Sequence, residues 1–174
     1  MNVYLKLCLI LFPLCSFGQM TEEQAEIINQ EVLHLVNDFR SQKNVPALKI
    51  DSDLETAAKL QSDYSAKTNE LTHIQSNNFK YSTPAKRVAM VKTGDHKAFY
   101  SVGENAAFTS FESDKINEPQ YLNEIAAELF ESWKNSKSHR NNMLNPNFKY
   151  YGFAVTIREK SGIIYAIQVF SEER

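Results

Sequence analysis

The chain has 174 residues, 43% of them hydrophobic and 23% charged, which suits one globular domain with its own core and excludes disordered or collagen-like structure. Lys and Arg total 19 against 21 Asp and Glu, a formal net charge of -2. That balance excludes a protein held to nucleic acid by a general basic field.

Taken in chain order, Lys6 stands beside an apolar run from Leu5 to Leu14, with small residues following at Ser16 and Gly18. This is the pattern of an export signal. Residues 1–18 are expected to be removed, leaving a single domain over 19–174 that works in the periplasm or outside the cell. Pro13 interrupts the run, which falls short of the ~20 apolar residues of a membrane span. No later stretch is long and apolar enough to span, and Leu14 and Pro13 ahead of Cys15 fit a lipid anchor poorly. Both cysteines, Cys8 and Cys15, lie in the same segment, so the mature domain is expected to have neither disulfides nor thiolate chemistry.

Thr21 and Gln24 have capping-box spacing, and Ile28, Val32, Leu35, Val36 and Phe39 mark one face of a first helix. Val45 to Ile50 reads as a connector. Ser52 and Glu55 repeat the capping spacing before a second helix carrying Leu54, Ala57, Ala58, Gln61 and Tyr64. Thr83-Pro84 predicts an N-cap followed by proline at the first helical position, with Gly94 as the stop. Phe108 to Glu118 is polar and aperiodic and reads as a surface loop. Pro119 to Asn135 is helical by the spacing of Leu122, Ile125, Ala126, Leu129, Phe130 and Trp133, and Trp133 reads as core. The C-terminal part is β-rich: Tyr151–Arg158 and Ile163–Ser171 flank Glu159-Lys160-Ser161-Gly162, a hairpin signal. Early helices and late strands predict an α+β fold with helices on a mainly antiparallel sheet.

The four histidines are not equivalent. His34 lies inside the first helix and His96 in a polar turn, whereas His73 and His139 stand just beyond helices, where rigid elements display functional side chains. Glu104 is held in Gly103-Glu104-Asn105-Ala106, a carboxylate in an apolar frame beside a glycine that permits a bend or a close backbone approach. Asn105 is expected to fix a turn at Glu104. Two histidines and a carboxylate form a common three-ligand set for zinc, with water in an open fourth position. The separations of 31 and 35 residues carry no local ligand signature, so spacing leaves the site open.

Leu35-Val36-Asn37-Asp38-Phe39-Arg40 followed by Val45-Pro46-Ala47-Leu48 resembles the opening helix and turn of the CAP superfamily, which includes cysteine-rich secretory proteins, venom antigens and plant pathogenesis-related proteins. Leu54 with Ala57-Ala58 and then His73 is similar to its second helix and first cavity histidine. Gly103-Glu104-Asn105 resembles its most recognisable short motif. Trp133, Ser136, His139-Arg140, Met143-Leu144-Asn145-Pro146 and Gly152 are similar to the bacterial form of a later motif, and Gln168-Val169-Phe170 fits the closing strand. The resemblance implies a three-layer α-β-α sandwich with a central cleft of two histidines and two glutamates able to hold a divalent metal. His73, Glu104 and His139 match three of those positions. Ser136 stands at the fourth, which implies weakened metal binding. Asn105, Ser136 and Arg140 are expected around the cleft.

Three functions follow from these readings. The first, and favoured, is an extracellular binding or interaction module for a divalent metal, zinc foremost, and a cell-surface or lipid-like ligand. The second is a metal-assisted hydrolase with Glu104 as general base and a zinc-bound water as nucleophile. The third is a structural module with a vestigial cleft.

Overall fold

The computed structural model describes residues 20–174, so the expected export segment lies outside the described residues. Helix α1 (Glu22–Gln42) starts on the expected capping box: Thr21 Oγ1 accepts from the Gln24 N–H at 3.1 Å, and Gln24 Oε1 accepts from the Thr21 N–H at 2.8 Å. Near its other end Arg40 is fully buried and donates to the carbonyls of Pro46, Met143, Asn145 and Phe148. Burial without a facing carboxylate pulls its pKa down from the ordinary arginine value.

The connector contains strand β1 (Lys49–Ile50), two residues that its Pro46 context concealed. Helix α2 (Ser52–Thr68) is capped by Asp51 rather than by Ser52 as the spacing suggests. The Asp51 carboxylate accepts from the N–H groups of Asp53 and Leu54, and Lys92 of helix α3 (Pro84–Thr93) closes on it at 3.1 Å. An ionised cap that also pairs with α3 outcompetes the neighbouring hydroxyl. Helix α3 begins at Thr83-Pro84 and stops at Gly94 with φ 72°, as its sequence indicates.

Strand β2 (Val102–Ser110) runs three residues into the stretch expected to be loop. Gly103 to Ala107 are buried in succession, so that part lacks the polar-apolar alternation that marks a half-buried strand, and the exposed Phe108 and Ser110 flank a single buried residue, too few to show a period. Helices α4 (Pro119–Asn135) and α5 (Lys137–Met143) follow, then strands β3 (Tyr150–Arg158) and β4 (Ile163–Ser171), joined through a short turn that ends on Gly162 at φ 62°. The expected hairpin is therefore present, in register from Tyr150↔Ser171 to Arg158↔Ile163.

The sheet order is β1-β3-β4-β2, antiparallel except for the short parallel β1–β3 contact. Side-chain alternation divides the core in two. Tyr151, Phe153, Val155, Ile164, Ala166 and Phe170 join Trp133 and the apolar faces of α1 and α4. Ala106, Ile167 and Val169 pack instead on Leu54, Ala57, Ala58 and Val88 of α2 and α3. This is the α-β-α sandwich that the resemblance implies. Two close approaches set its spacing. A Cβ on Gly152 would lie 2.1 Å from the Leu54 carbonyl carbon, so glycine lets α2 lie against the sheet. A Cβ on Gly103 would lie 2.7 Å from the Phe148 ring.

Candidate functional site: a charge-paired cleft at the edge of β2

Strand β2 is the outer strand of the sheet beyond β4. Alternation sends Glu104 to the α2/α3 layer with Ala106, and Asn105 to the α1/α4 layer with Ala107. Gly103 makes a close approach to Phe148, and Glu104 lies within the strand. The turn expected there from Asn105 is absent, because nine successive pairs with β4 hold the backbone extended.

His73 reaches Glu104 from the loop after α2. Buried Gln75 pins that loop, donating to Leu60 O at 3.1 Å and to Gln61 Oε1 at 3.2 Å. His73 Nδ1 lies 2.8 Å from Glu104 Oε1. The other carboxylate oxygen accepts from Arg87 Nη2 of α3 at 2.6 Å. The Glu104 and Arg87 side chains are 1% and 0% exposed, whereas that of His73 is 46% exposed. Arg87 also donates to the carbonyls of His73 and Tyr81, so one guanidinium holds both the carboxylate and the loop that presents the imidazole. A carboxylate facing two donors fixes the ring: His73 donates Nδ1–H and leaves Nε2 as its free nitrogen.

His139 enters from α5, whose backbone is held to β2 through Asn105. Asn105 Nδ2 donates to the His139 carbonyl at 3.1 Å and to Gln168 Oε1 at 2.9 Å, while its Oδ1 accepts from Asn142 Nδ2 at 2.9 Å. Asn142 donates as well to the Glu104 carbonyl at 3.2 Å. Asn105 thus positions α5 against β2. The His139 pKa is lowered, first by burial and then by the nearby His73, whose protonation would oppose a second charge. Ser136 links α4 to α5 and pairs with Ser138, and Arg140 turns back to donate to the Lys134 carbonyl at 2.7 Å. Both brace the α4–α5 corner, and neither hydrogen-bonds to His73, Glu104 or His139 among the described residues.

The three-ligand zinc set fits poorly. Both Glu104 oxygens are engaged, one by a buried cation, and no group of three or more His, Cys, Asp or Glu side chains able to hold a metal occurs among the described residues. Two imidazoles remain as donors. Arg87 and Asn142 are the site residues that sequence reasoning overlooks. Arg87 is one of 19 Lys and Arg in the chain, and nothing local marks it as buried.

The family model of the CAP, cysteine-rich secretory protein family matches residues 33–170, and the chain belongs to that family. Among solved structures, an outer surface protein from Borrelia burgdorferi is similar at 18% identity and TM-score 0.66, over 90% of this chain and 98% of its own. An extracellular protein containing a SCP domain from Bacillus anthracis is similar at 25% identity and TM-score 0.62, over 90% of this chain and 45% of its own. NaASP2, solved with Zn2+, shares the fold at 14% identity and TM-score 0.54, over 86% and 82%. A comparison with curated proteins gave no match. No described helix is long and apolar enough to cross a membrane.

Proposed function

We propose that the protein is an extracellular binding module whose ligand meets the exposed imidazole of His73 in the cleft at the edge of β2. The observation that carries this reading is the Arg87–Glu104–His73 relay: two buried, mutually neutralising charges that hold one half-exposed ring in a single tautomer. Such a relay pre-orients a recognition group and limits what ordering it costs on binding. Leu71 and Ile74, on either side of His73 in the chain, are 43% and 48% exposed and give its loop apolar surface near a polar contact. That pairing suits an amphiphilic, lipid-like ligand. Glu104 is too enclosed to reach a substrate water, so the arrangement favours binding over hydrolysis with Glu104 as base. The outer-surface and extracellular descriptions of the structural relatives support a place outside the cytoplasm.

Zinc enters this reading as a weak ligand of the two imidazoles. A histidine whose Nδ1–H is held by a carboxylate presents Nε2 in the tautomer a metal needs. Calorimetric zinc titration of the purified protein at neutral pH tests it. His73→Ala and His139→Ala are expected to weaken binding by about tenfold or more, Glu104→Gln by about tenfold, and His96→Ala not at all. Equal zinc affinity in wild type and His73→Ala would remove the metal from the reading. Displacement of a fluorescent long-chain fatty acid, compared between wild type and a Leu71→Ser/Ile74→Ser variant, tests the amphiphile separately; equal displacement would remove it.

A further inference from the structure

The opposite side of the sheet holds a second concave feature, remote from His73. Strand β1 pairs with only Tyr150 and Tyr151, whereas β4 pairs with β3 along its whole length to Arg158. Among the described residues, the outer edge of β3 therefore has no neighbouring strand over seven residues, from Gly152 to Arg158. Tyr151 O accepts from the Asp51 N–H of the β1 segment, so by period two the main-chain groups of Phe153, Val155 and Ile157 face the same open side. Helices α1 and α2 wall this edge and leave a groove of about 500 Å³ floored by Phe153, Ala154 and Val155. A smaller hollow of about 220 Å³ continues it to Ile157.

The walls are acidic. Glu22 and Glu26 come from α1, and Glu55 and Asp63 from α2, with Lys59 as the one base. Lys59 pairs with Asp63, which leaves Glu22, Glu26 and Glu55 without a cationic partner among the described residues. Glu55 responds to that setting: burial, then Glu26 and Asp51, raise its pKa against the opposing hydrogen bond from Asn29. Asn29 of α1 faces the same carboxylate. It lines the groove and is 5% exposed, its Nδ2 donates to Glu55 Oε1 at 3.1 Å, and its Oδ1 has no partner among the described residues. The amide orientation is set by that carboxylate, since a flipped amide would aim oxygen at oxygen.

We propose that the groove takes an extended basic peptide segment of another protein, which adds as a strand along β3 and sets lysine or arginine side chains against Glu22, Glu26 and Glu55. An unpaired edge is a template for strand addition, and two flanking helices admit one strand while keeping out a second sheet. The charge selects the occupant. A second copy of this chain would bring acid to acid, and an acidic peptide would be repelled likewise.

The test is fluorescence anisotropy at low ionic strength with a labelled heptapeptide of alternating lysine and valine. Its counterpart with glutamate for lysine, and a version N-methylated at alternate amides, are the comparisons. Wild type is expected to bind the basic peptide, and to lose about tenfold or more in affinity for the N-methylated one, which keeps its charge but lacks the ladder donors. Glu22→Lys/Glu26→Lys should lose a similar factor. The exposed pair Glu124→Lys/Glu131→Lys, with the same change in net charge, should lose less than about twofold. Far-UV circular dichroism confirms that each variant is folded. No binding of the basic peptide, equal binding of the glutamate or N-methylated peptide, or equal losses in the two double variants would each overturn the proposal. His73→Ala should leave this binding unchanged, which separates the groove from the cleft.

Discussion

Arg87→Met is the sharpest probe of the cleft. The substitution keeps an apolar stem like that of arginine but removes the guanidinium that lies 2.6 Å from Glu104 Oε2. Both partners are almost completely buried, so solvent gives little screening, and the carboxylate is left with His73 as its remaining side-chain partner. Breaking one side of a buried pair costs about 3–5 kcal/mol. At roughly 2–4 °C per kcal/mol for a domain of this size, Tm should fall by about 6–20 °C. Losing the bonds to the His73 and Tyr81 carbonyls should also free the loop that presents His73. Chemical denaturation followed by circular dichroism measures the free energy, and Glu104→Gln in both backgrounds completes a double-mutant cycle. Adding Glu104→Gln to Arg87→Met should recover about 1–3 kcal/mol, because a neutral amide is less costly to bury than an unpaired carboxylate. A loss below about 1 kcal/mol for Arg87→Met, or two effects that simply add, would refute the pairing argument.

Gly152→Ala should destabilise by about 3 kcal/mol or more, since the new Cβ would sit 2.1 Å from the backbone of Leu54 and α2 would have to lift; a Tm unchanged from wild type would count against the packing described. His139 should titrate below about 6.5 in an NMR pH series, because burial and then His73 lower its pKa. The sign for stability follows: as pH falls through the unfolded value, unfolded His139 takes up a proton that the folded form resists, so its effect is to reduce stability below about 6.5, a loss that ceases to grow below the folded pKa. His73→Ala should raise the His139 midpoint without restoring it fully, because burial, the larger cause, remains; no change at all would show that the two rings do not sense each other.

Much of this architecture is written in short-range chemistry. The capping box at Thr21 and Gln24, the Thr83-Pro84 start and Gly94 stop, and the turn ending at Gly162 are local hydrogen bonds and backbone preferences, and they place α1, α3 and the β3–β4 hairpin correctly. The stripe from Leu122 to Trp133 does the same for α4, because a helix repeats its buried face within a few residues. The motifs at His73, Gly103-Glu104-Asn105 and His139 are also legible, and they suffice to indicate the family. What tertiary structure decided is the company those residues keep. Strand β2 buries Gly103 to Ala107 in succession, so its sequence there lacks the alternation that would announce it, and β1 is too short to show a period. The partner of Glu104 across 17 residues is a buried arginine, and Asn105 meets Gln168 across 63. Those pairings arise where α3, α5 and β4 converge on one strand edge. A side chain's charge and shape are carried in the sequence, but whether it faces water, a metal or an opposite charge depends on which distant elements the fold brings against it.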